Sequence, residues 1–330
     1  MSTENKPVLV TGAGGFIGSH VVEALLHSGH QVRALVHYNS QGSWGHLRDL
    51  GHQGQLEVRL GDVTDPYLVR SLVDGCQVVL HLAALIGIPY SYHAPASYVA
   101  TNVGGTLNVL EACRQARVRR VVVTSTSEVY GTARYAPIDE AHPLQAQSPY
   151  AASKIAADKL AESYFCSYDL PVVVLRPFNT YGPRQSARAV IPTVLVQAMA
   201  GTSEIQLGNL TPQRDLTFVE DTARAFLLAA ESAGIEGEVI HFGQGSAISV
   251  AELAQRCLEA AAAGSRARIV STSERRRPDK SEVELLVCNA AKAQRLLGWT
   301  PQVSLAEGLR RTADYLRAHL TQYRAGDYAI

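Results

Sequence analysis

The chain has 330 residues, enough to bury a sizeable core as one two-lobed unit. Its 30 basic and 30 acidic side chains cancel and no basic tract stands out, which excludes nucleic acid as the expected partner. The 5 cysteines are odd in number and never spaced as C-x-x-C, so neither a disulfide framework nor a metal site is expected.

The opening segment, MSTENKPVLVTG, is polar and then enters a strand, and no apolar run is long enough to cross a bilayer. No signal peptide and no membrane partner are expected, and the expected compartment is cytoplasmic. PVLVTG is followed by a helical pattern through FIGSHVVEALLHSG. Gly12, Gly15 and Gly18 stand three apart between that strand and that helix. Glycines there allow a tight turn and let a pyrophosphate approach the free N–H groups of the helix start. Strand, glycine turn and helix in this order point to a dinucleotide.

Further β-rich runs follow: QVRALV, LEVRLGD, CQVVLHLAA, RRVVVTST and PVVVLRPF. Continuous Val/Ile/Leu runs mean strands buried on both faces, hence a parallel sheet with helices on either side. The expected fold class is α/β, a doubly wound parallel sheet. In such a sheet the second strand of an NAD enzyme ends in an acid that binds the adenosine ribose. That position is Val36 here. No Lys or Arg occurs from Ala34 through Leu47, so a 2′-phosphate would have only His37, Asn39 or Ser40. NAD is therefore expected over NADP. Asp62, in LGDVTD after the third strand, is placed to accept from the adenine amino group.

The RRVVVTST run closes on TSTSEVYG, residues 124–131. A carboxylate at a buried strand end is costly unless something uses it, and Glu128 sits there beside four hydroxyls. Downstream, SPYAASK puts Tyr150 and Lys154 at i and i+4 on one helix face. A neighbouring ammonium is expected to lower the phenol's pKa and make its anion a usable base. After Pro177 the segments shorten and Gly and Pro become more frequent. The expected division is a dinucleotide-binding domain over 1–176, with 217–243 packing on it, and a smaller C-terminal substrate-binding lobe from 177–216 and 244–330. ERRRP, residues 274–278, is the densest positive cluster and by itself reads as a solvated turn.

The glycine loop, HLAA at 81–84, NVGGTLNVLEA, TSTSEVYG, YAASK and RPFNTYGPR together resemble the extended short-chain dehydrogenase/reductase family, in order and spacing over nearly the whole chain. The resemblance implies a Rossmann domain binding NAD through Gly12, Gly15, Phe16, Ile17, Gly18, His37, Asp62, Val63, Leu82, Ala83 and Ala84, with Tyr150 and Lys154. It implies that Thr126, Tyr150 and Lys154 serve hydride transfer at a sugar C4. It further implies a nucleotide-sugar substrate with Asn179, Arg214 and Arg277 near the pyrophosphate, which removes Arg277 from the solvated turn. Relatives bury the helices corresponding to 96–115 and 149–167 in a homodimer, as a four-helix bundle.

Family members with an acid at the position of Glu128, among them the 4,6-dehydratases and the UDP-uronic acid decarboxylases, carry out a second reaction after oxidation at C4, whereas simple C4 epimerases usually carry a small residue there. The resemblance therefore makes Glu128 the base for the C5 proton. The dTDP-glucose 4,6-dehydratases place an Asp before this Glu, while the GDP-mannose enzymes share the Thr-Ser-Glu order seen here, so Ser127 would orient Glu128. LVHYNSQGSWGHL, HLAALIGIPYSYHAPASY and RPFNTYGPRQSARAVIPT are most similar to the GDP-N-acetylglucosamine 4,6-dehydratases of legionaminic-acid synthesis. That implies a 2-acetamido sugar, with Tyr90 and Tyr92 at its pocket.

Three rivals stand beside this reading. Oxidative decarboxylation of a UDP-uronic acid would use Arg188 for a C6 carboxylate, where a dehydratase would use it for phosphate or nucleotide. C4 epimerisation leaves Glu128 without a task. A catalytically silent dinucleotide sensor has no reason to keep Thr126, Tyr150 and Lys154 in register.

Overall fold

The computed structural model describes residues 6–50, 54–261 and 267–323. The first six β-rich runs become β1 (Val8–Thr11), β2 (Val32–His37), β3 (Leu56–Gly61), β4 (Val78–His81), β5 (Arg120–Thr124) and β6 (Val172–Pro177). Then come β7 (Asn179–Tyr181), β8 (Glu204–Leu207), β9 (Gln213–Phe218), β10 (Val239–Phe242), β11 (Ala247–Ser249), β12 (Arg268–Ser271) and β13 (Leu285–Leu286). One parallel seven-stranded sheet runs β10-β6-β5-β4-β1-β2-β3. Chain order reverses direction between β1 and β4. A crevice opens at such a switch point, beyond the carboxyl ends of the strands.

The period of two along each strand sorts the side chains into two layers. Leu9, Val79, Val121, Val123, Val172 and Val174 share one core with Val109, Leu110 and Ala161. Val8, Val10, Val78, Leu80, Val122 and Val173 share the other with Val21, Val22 and Phe226. The helices Pro66–Val73, Gly105–Ala116 and Pro149–Tyr168 therefore cover one face, and Phe16–His27 and Val219–Glu231 the other. Their starts are written locally. Asp65 accepts from the N–H groups of Tyr67 and Leu68, Ser148 accepts from that of Ala151, and Pro66 and Pro149 open the helices that follow.

The segment expected as one helix from Ala96 to Gln115 is broken by a wide π-turn, Val99–Gly104, ahead of Gly105–Ala116. The turn buries Asn102, whose amide donates to the Leu85 carbonyl and Ser153 Oγ, both at 2.9 Å, and accepts from Leu85 N at 2.8 Å. Those bonds tie the loop after β4 to the Pro149–Tyr168 helix. No periodicity argument reveals such a turn.

A second body forms around Tyr181, Val194, Leu195, Phe218, Leu253 and Leu309, from β7, β9, β11 and β13, the β8/β12 pair and the helices Val190–Met199, Val250–Ala261 and Leu305–Ala318. Asp215 on β9 accepts from the N–H groups of Gln244 (2.7 Å), Gly245 (2.8 Å) and Cys288 (3.0 Å). Two chain segments are thus locked to the strand that carries Arg214. Cys76, Cys113, Cys257 and Cys288 are buried and Cys166 is exposed.

Candidate active site

A cavity of about 1230 Å³ lies beyond the carboxyl ends of β1 to β6, walled on its far side by the second body. A single small ligand occupies roughly 300–1,000 Å³. This space is large enough for two ligands end to end.

At one end lies the glycine loop. Gly12 has φ +68°, the left-handed region that favours glycine, and a Cβ there would sit 2.7 Å from the backbone nitrogen of Ala83. A Cβ on Gly18 would press on the Gly12 carbonyl. Gly15 precedes the Phe16–His27 helix with no side chain capping it. The result is a bare backbone floor beside a helix start, which fits an anionic pyrophosphate. Thr11 Oγ1 bonds His81 Nδ1 at 2.8 Å and accepts from Ala83 N at 3.1 Å, while His81 Nε2 meets Thr106 Oγ1 at 3.1 Å. Burial, aided by Lys154, lowers the His81 pKa to about 3, so this clamp on β1 and β4 is neutral.

Phe16, Ile17, Val63, Leu82, Ala83 and Ala84 line this end. Val36, at the expected acid position, is buried under the loop, against the space a Gly14 side chain would need. An acid there would be buried under backbone. The exposed His37 instead faces Asp62 at 3.3 Å, and Asp62 accepts from Thr64 N at 2.8 Å. Burial pushes the Asp62 carboxyl up, but its bonds to Thr64 and the nearby His37 outweigh this and hold it below the usual range.

At the other end β5 stops at Thr124 and a tight 3-10 turn, Ser127–Tyr130, begins. Thr126 Oγ1 caps the turn by accepting from Glu128 N at 3.2 Å. Ser127 and Glu128 are buried, the latter 9 % exposed, and both line the cavity with Thr126, Tyr150 and Lys154. The four-residue spacing of Tyr150 and Lys154 on the capped helix brings both to this wall.

The expected effect of Lys154 on the phenol is not what the structure shows. Burial pushes the Tyr150 hydroxyl up; a hydrogen bond with Thr126 opposes this, and Glu128 and Tyr98 add to the rise. Lys154 Nζ donates to the Thr124 carbonyl at 2.6 Å instead. Burial lowers its own pKa to about 8, with Asp158 pulling the other way.

Asn179, Arg188, Arg214 and Arg277 line the same cavity. Asn179 Nδ2 is buried without a hydrogen-bond partner among the described residues, a cost that a bound acceptor would remove. Arg188 stands beside Gly87 and acts on the charge of Tyr98, whose ring lies edge-on to Tyr150 at 6.3 Å. Arg277 is only 26 % exposed and pairs with Glu282, so it is not part of a solvated turn. Tyr90 does not reach the cavity. In the Ile88–His93 helix Ile88 and Ser91 turn inward, Tyr90 is 41 % exposed with its ring tilted against that of Tyr98 at 6.2 Å, and Tyr92 Oη bonds Ser281 Oγ at 2.7 Å.

Sequence reasoning missed Asn102, Asp158, Arg176 and Glu282. Asp158 is buried behind the site and takes hydrogen bonds from Ser125 Oγ (2.8 Å) and Arg176 Nε (3.0 Å). Its spacing, one turn beyond Lys154 on the same helix, was the available signal. No cluster of metal-ligating side chains occurs among the described residues, and none of their helices is long and apolar enough to cross a membrane.

Compared with known proteins, residues 9–312 match the family model described as GDP-mannose 4,6 dehydratase. The chain is 35 % identical over 314 residues to a UDP-glucose 4-epimerase of Mycolicibacterium smegmatis, covering 94 % of this chain and 98 % of that one. Among solved structures it resembles a dTDP-glucose 4,6-dehydratase of Streptomyces venezuelae crystallised with NAD (TM-score 0.87, 31 % identity, 96 % and 98 % covered). It also resembles a UDP-glucuronic acid 4-epimerase of Bacillus cereus in complex with UDP-glucuronic acid and NAD (TM-score 0.86, 29 % identity, 95 % and 99 % covered).

Proposed function

Because the chain belongs to the GDP-mannose 4,6-dehydratase family of nucleotide-sugar enzymes, we propose that it is an NAD-dependent nucleotide-sugar 4,6-dehydratase. Its product is the nucleotide-linked 4-keto-6-deoxyhexose, with water. The resemblance of three loop segments to GDP-N-acetylglucosamine 4,6-dehydratases makes a 2-acetamido hexose the preferred sugar. The glycine floor and the Phe16–His27 helix start would hold the NAD pyrophosphate, with Asp62 and His37 at the adenosine end. When bound, NAD supplies the reversible hydride chemistry.

The chain's own residues manage protons and charge. Tyr150 takes the C4 hydroxyl proton as its phenolate, having first released its own proton toward solvent through Thr126, with which it shares a hydrogen bond. The Lys154 ammonium one turn along the helix and the positive charge of bound NAD would favour that anion. The ketone at C4 acidifies C5. Glu128 takes that proton and passes it to the C6 hydroxyl, which departs as water, with Ser127 orienting the carboxylate. Hydride then returns to C6 and a proton from solvent to C5. Arg214 and Arg277 hold the diphosphate.

The observation that carries the reading is Glu128 itself, a buried carboxylate on the cavity wall whose charge acts on Tyr150 from one side and Arg214 from the other. An epimerase does not need it there. A second reading has support from Arg188, a cation on the Tyr98–Tyr150 side of the cavity that would pair with a C6 carboxylate. Under that reading the substrate is a uronic acid. Product masses from a panel of nucleotide sugars decide: loss of 18 mass units (about one water) supports dehydration, loss of carbon dioxide supports the uronic-acid reading, and unchanged mass sinks both in favour of epimerisation.

A further inference from the structure

Arg214 and Arg277 both close on one carboxylate that the elimination does not use. Glu282 Oε1 lies 3.5 Å from Arg214 Nη2 and 3.7 Å from Arg277 Nη1. All three side chains are largely enclosed, at 12 %, 26 % and 11 % exposure for Arg214, Arg277 and Glu282. Both separations exceed the roughly 2.7–2.9 Å of a good charge-assisted bond. Arg277 Nη1 is buried and has no hydrogen bond among the described residues. The carboxylate balances the arginines without satisfying them.

The backbone beneath Glu282 is held firmly. Gln147 Nε2 donates to the carbonyls of Lys280 and Glu282, each at 3.1 Å, and Ser281 Oγ donates to the Gln147 carbonyl at 2.5 Å. Tyr92 Oη adds its bond to Ser281. Gln147 directly precedes Ser148, the cap of the helix that carries Tyr150. The strap is fixed, so relief must come from the Glu282 side chain.

Charge determines the direction. Two guanidinium groups face Glu282 and, further in, Glu128, whose charge acts on both Arg214 and Glu282. Glu284 also acts on both Arg214 and Glu282, so two cations stand among three carboxylates and the local sum is already negative. A sugar diphosphate adds two negative charges and offers short, forked contacts to both arginines. Glu282 then faces phosphate, and repulsion turns it away.

We propose that Glu282 is an internal counter-ion which holds Arg214 and Arg277 before substrate arrives and is displaced by the diphosphate of the incoming nucleotide sugar. This rests on the nucleotide-sugar reading above but not on the dehydratase step. The carboxylate sets the affinity threshold that an anionic ligand must exceed, and it keeps two buried cations compensated until one does.

The test is calorimetric titration of the NAD-loaded enzyme with GDP, UDP and dTDP, comparing wild type with Glu282→Gln and Glu282→Ala. Both variants should bind the preferred nucleoside diphosphate about five-fold more tightly, since no internal ion pair has to be broken. An unchanged or weaker affinity, in variants that keep their NAD content and melting temperature, overturns the counter-ion and leaves the nucleotide-sugar reading standing. If none of the three ligands binds wild type or variants, the nucleotide-sugar reading falls and the counter-ion with it.

Discussion

Lys154 Nζ donates a 2.6 Å hydrogen bond to the Thr124 carbonyl, which bolts the Pro149–Tyr168 helix to the end of β5 two residues before Thr126. The same ammonium is buried, and burial lowers its pKa to about 8 against the pull of Asp158. The charge is present below that value and lost above it. The rate should therefore fall on the alkaline side with a midpoint near 8; the Tyr150 hydroxyl titrates well above its ordinary range and does not set that limb. Asp158→Asn removes the carboxylate that holds the Lys154 pKa up, leaving the bond to the Thr124 carbonyl, and should move the limb to lower pH. It also strips Arg176 of a buried partner, so a stability loss of about 3 kcal/mol should accompany the shift. A pH–kcat/KM profile and a melting curve on the same preparation check both; an unmoved limb contradicts the assignment to Lys154.

Glu128 and Tyr150 should fail at different steps. Glu128→Gln keeps the shape of the side chain but cannot accept a proton. In a single turnover it should accumulate reduced nicotinamide absorbance and place no solvent deuterium at C5. Tyr150→Phe should show neither signal. Near wild-type formation of the 4-keto-6-deoxy product by Glu128→Gln would put the base elsewhere.

Gly12→Ala combines a left-handed backbone with a Cβ 2.7 Å from Ala83 N. The cost should be about 3 kcal/mol, and the purified variant should lose its bound dinucleotide. Stripped wild type should regain activity with NAD rather than NADP, because residues 34 to 47 offer a 2′-phosphate no lysine or arginine. Recovery with NADP alone would refute that preference.

The face made by the π-turn and the two helices after it should form a homodimer interface. Val99, Leu107 and Tyr168 are 58 %, 41 % and 54 % exposed there. Leu107→Glu should turn a dimer into a monomer in sizing with light scattering. A wild-type monomer at micromolar concentration would contradict this.

The β-rich runs, the glycine spacing and the Tyr150–Lys154 pair were all readable because each is a local pattern, complete within a few residues. The alternation of Val121, Val122 and Val123 between two cores follows from strand geometry alone. The cost of a carboxylate at a strand end singled out Glu128 without deciding its place, and its burial on the cavity wall came from the fold. The exposure of Tyr90 was not legible because a helix of six residues has too few positions for a pattern to tell inside from outside.

What the chain writes locally therefore determined the parallel sheet, the glycine floor and the shared helix face of Tyr150 and Lys154. Only the tertiary structure decided which groups meet across long stretches of chain. Glu282 joins Arg214 from 68 residues away, Tyr92 joins Ser281 across 189, and Tyr130 joins His241 across 111. Tertiary burial also decided the charge environment, raising the Tyr150 pKa where sequence spacing had implied a fall. The physical reason is the same in both cases. Hydrogen bonding across the fold and loss of water depend on what packs against a residue, and that is fixed by the path of the whole chain rather than by its neighbours in sequence.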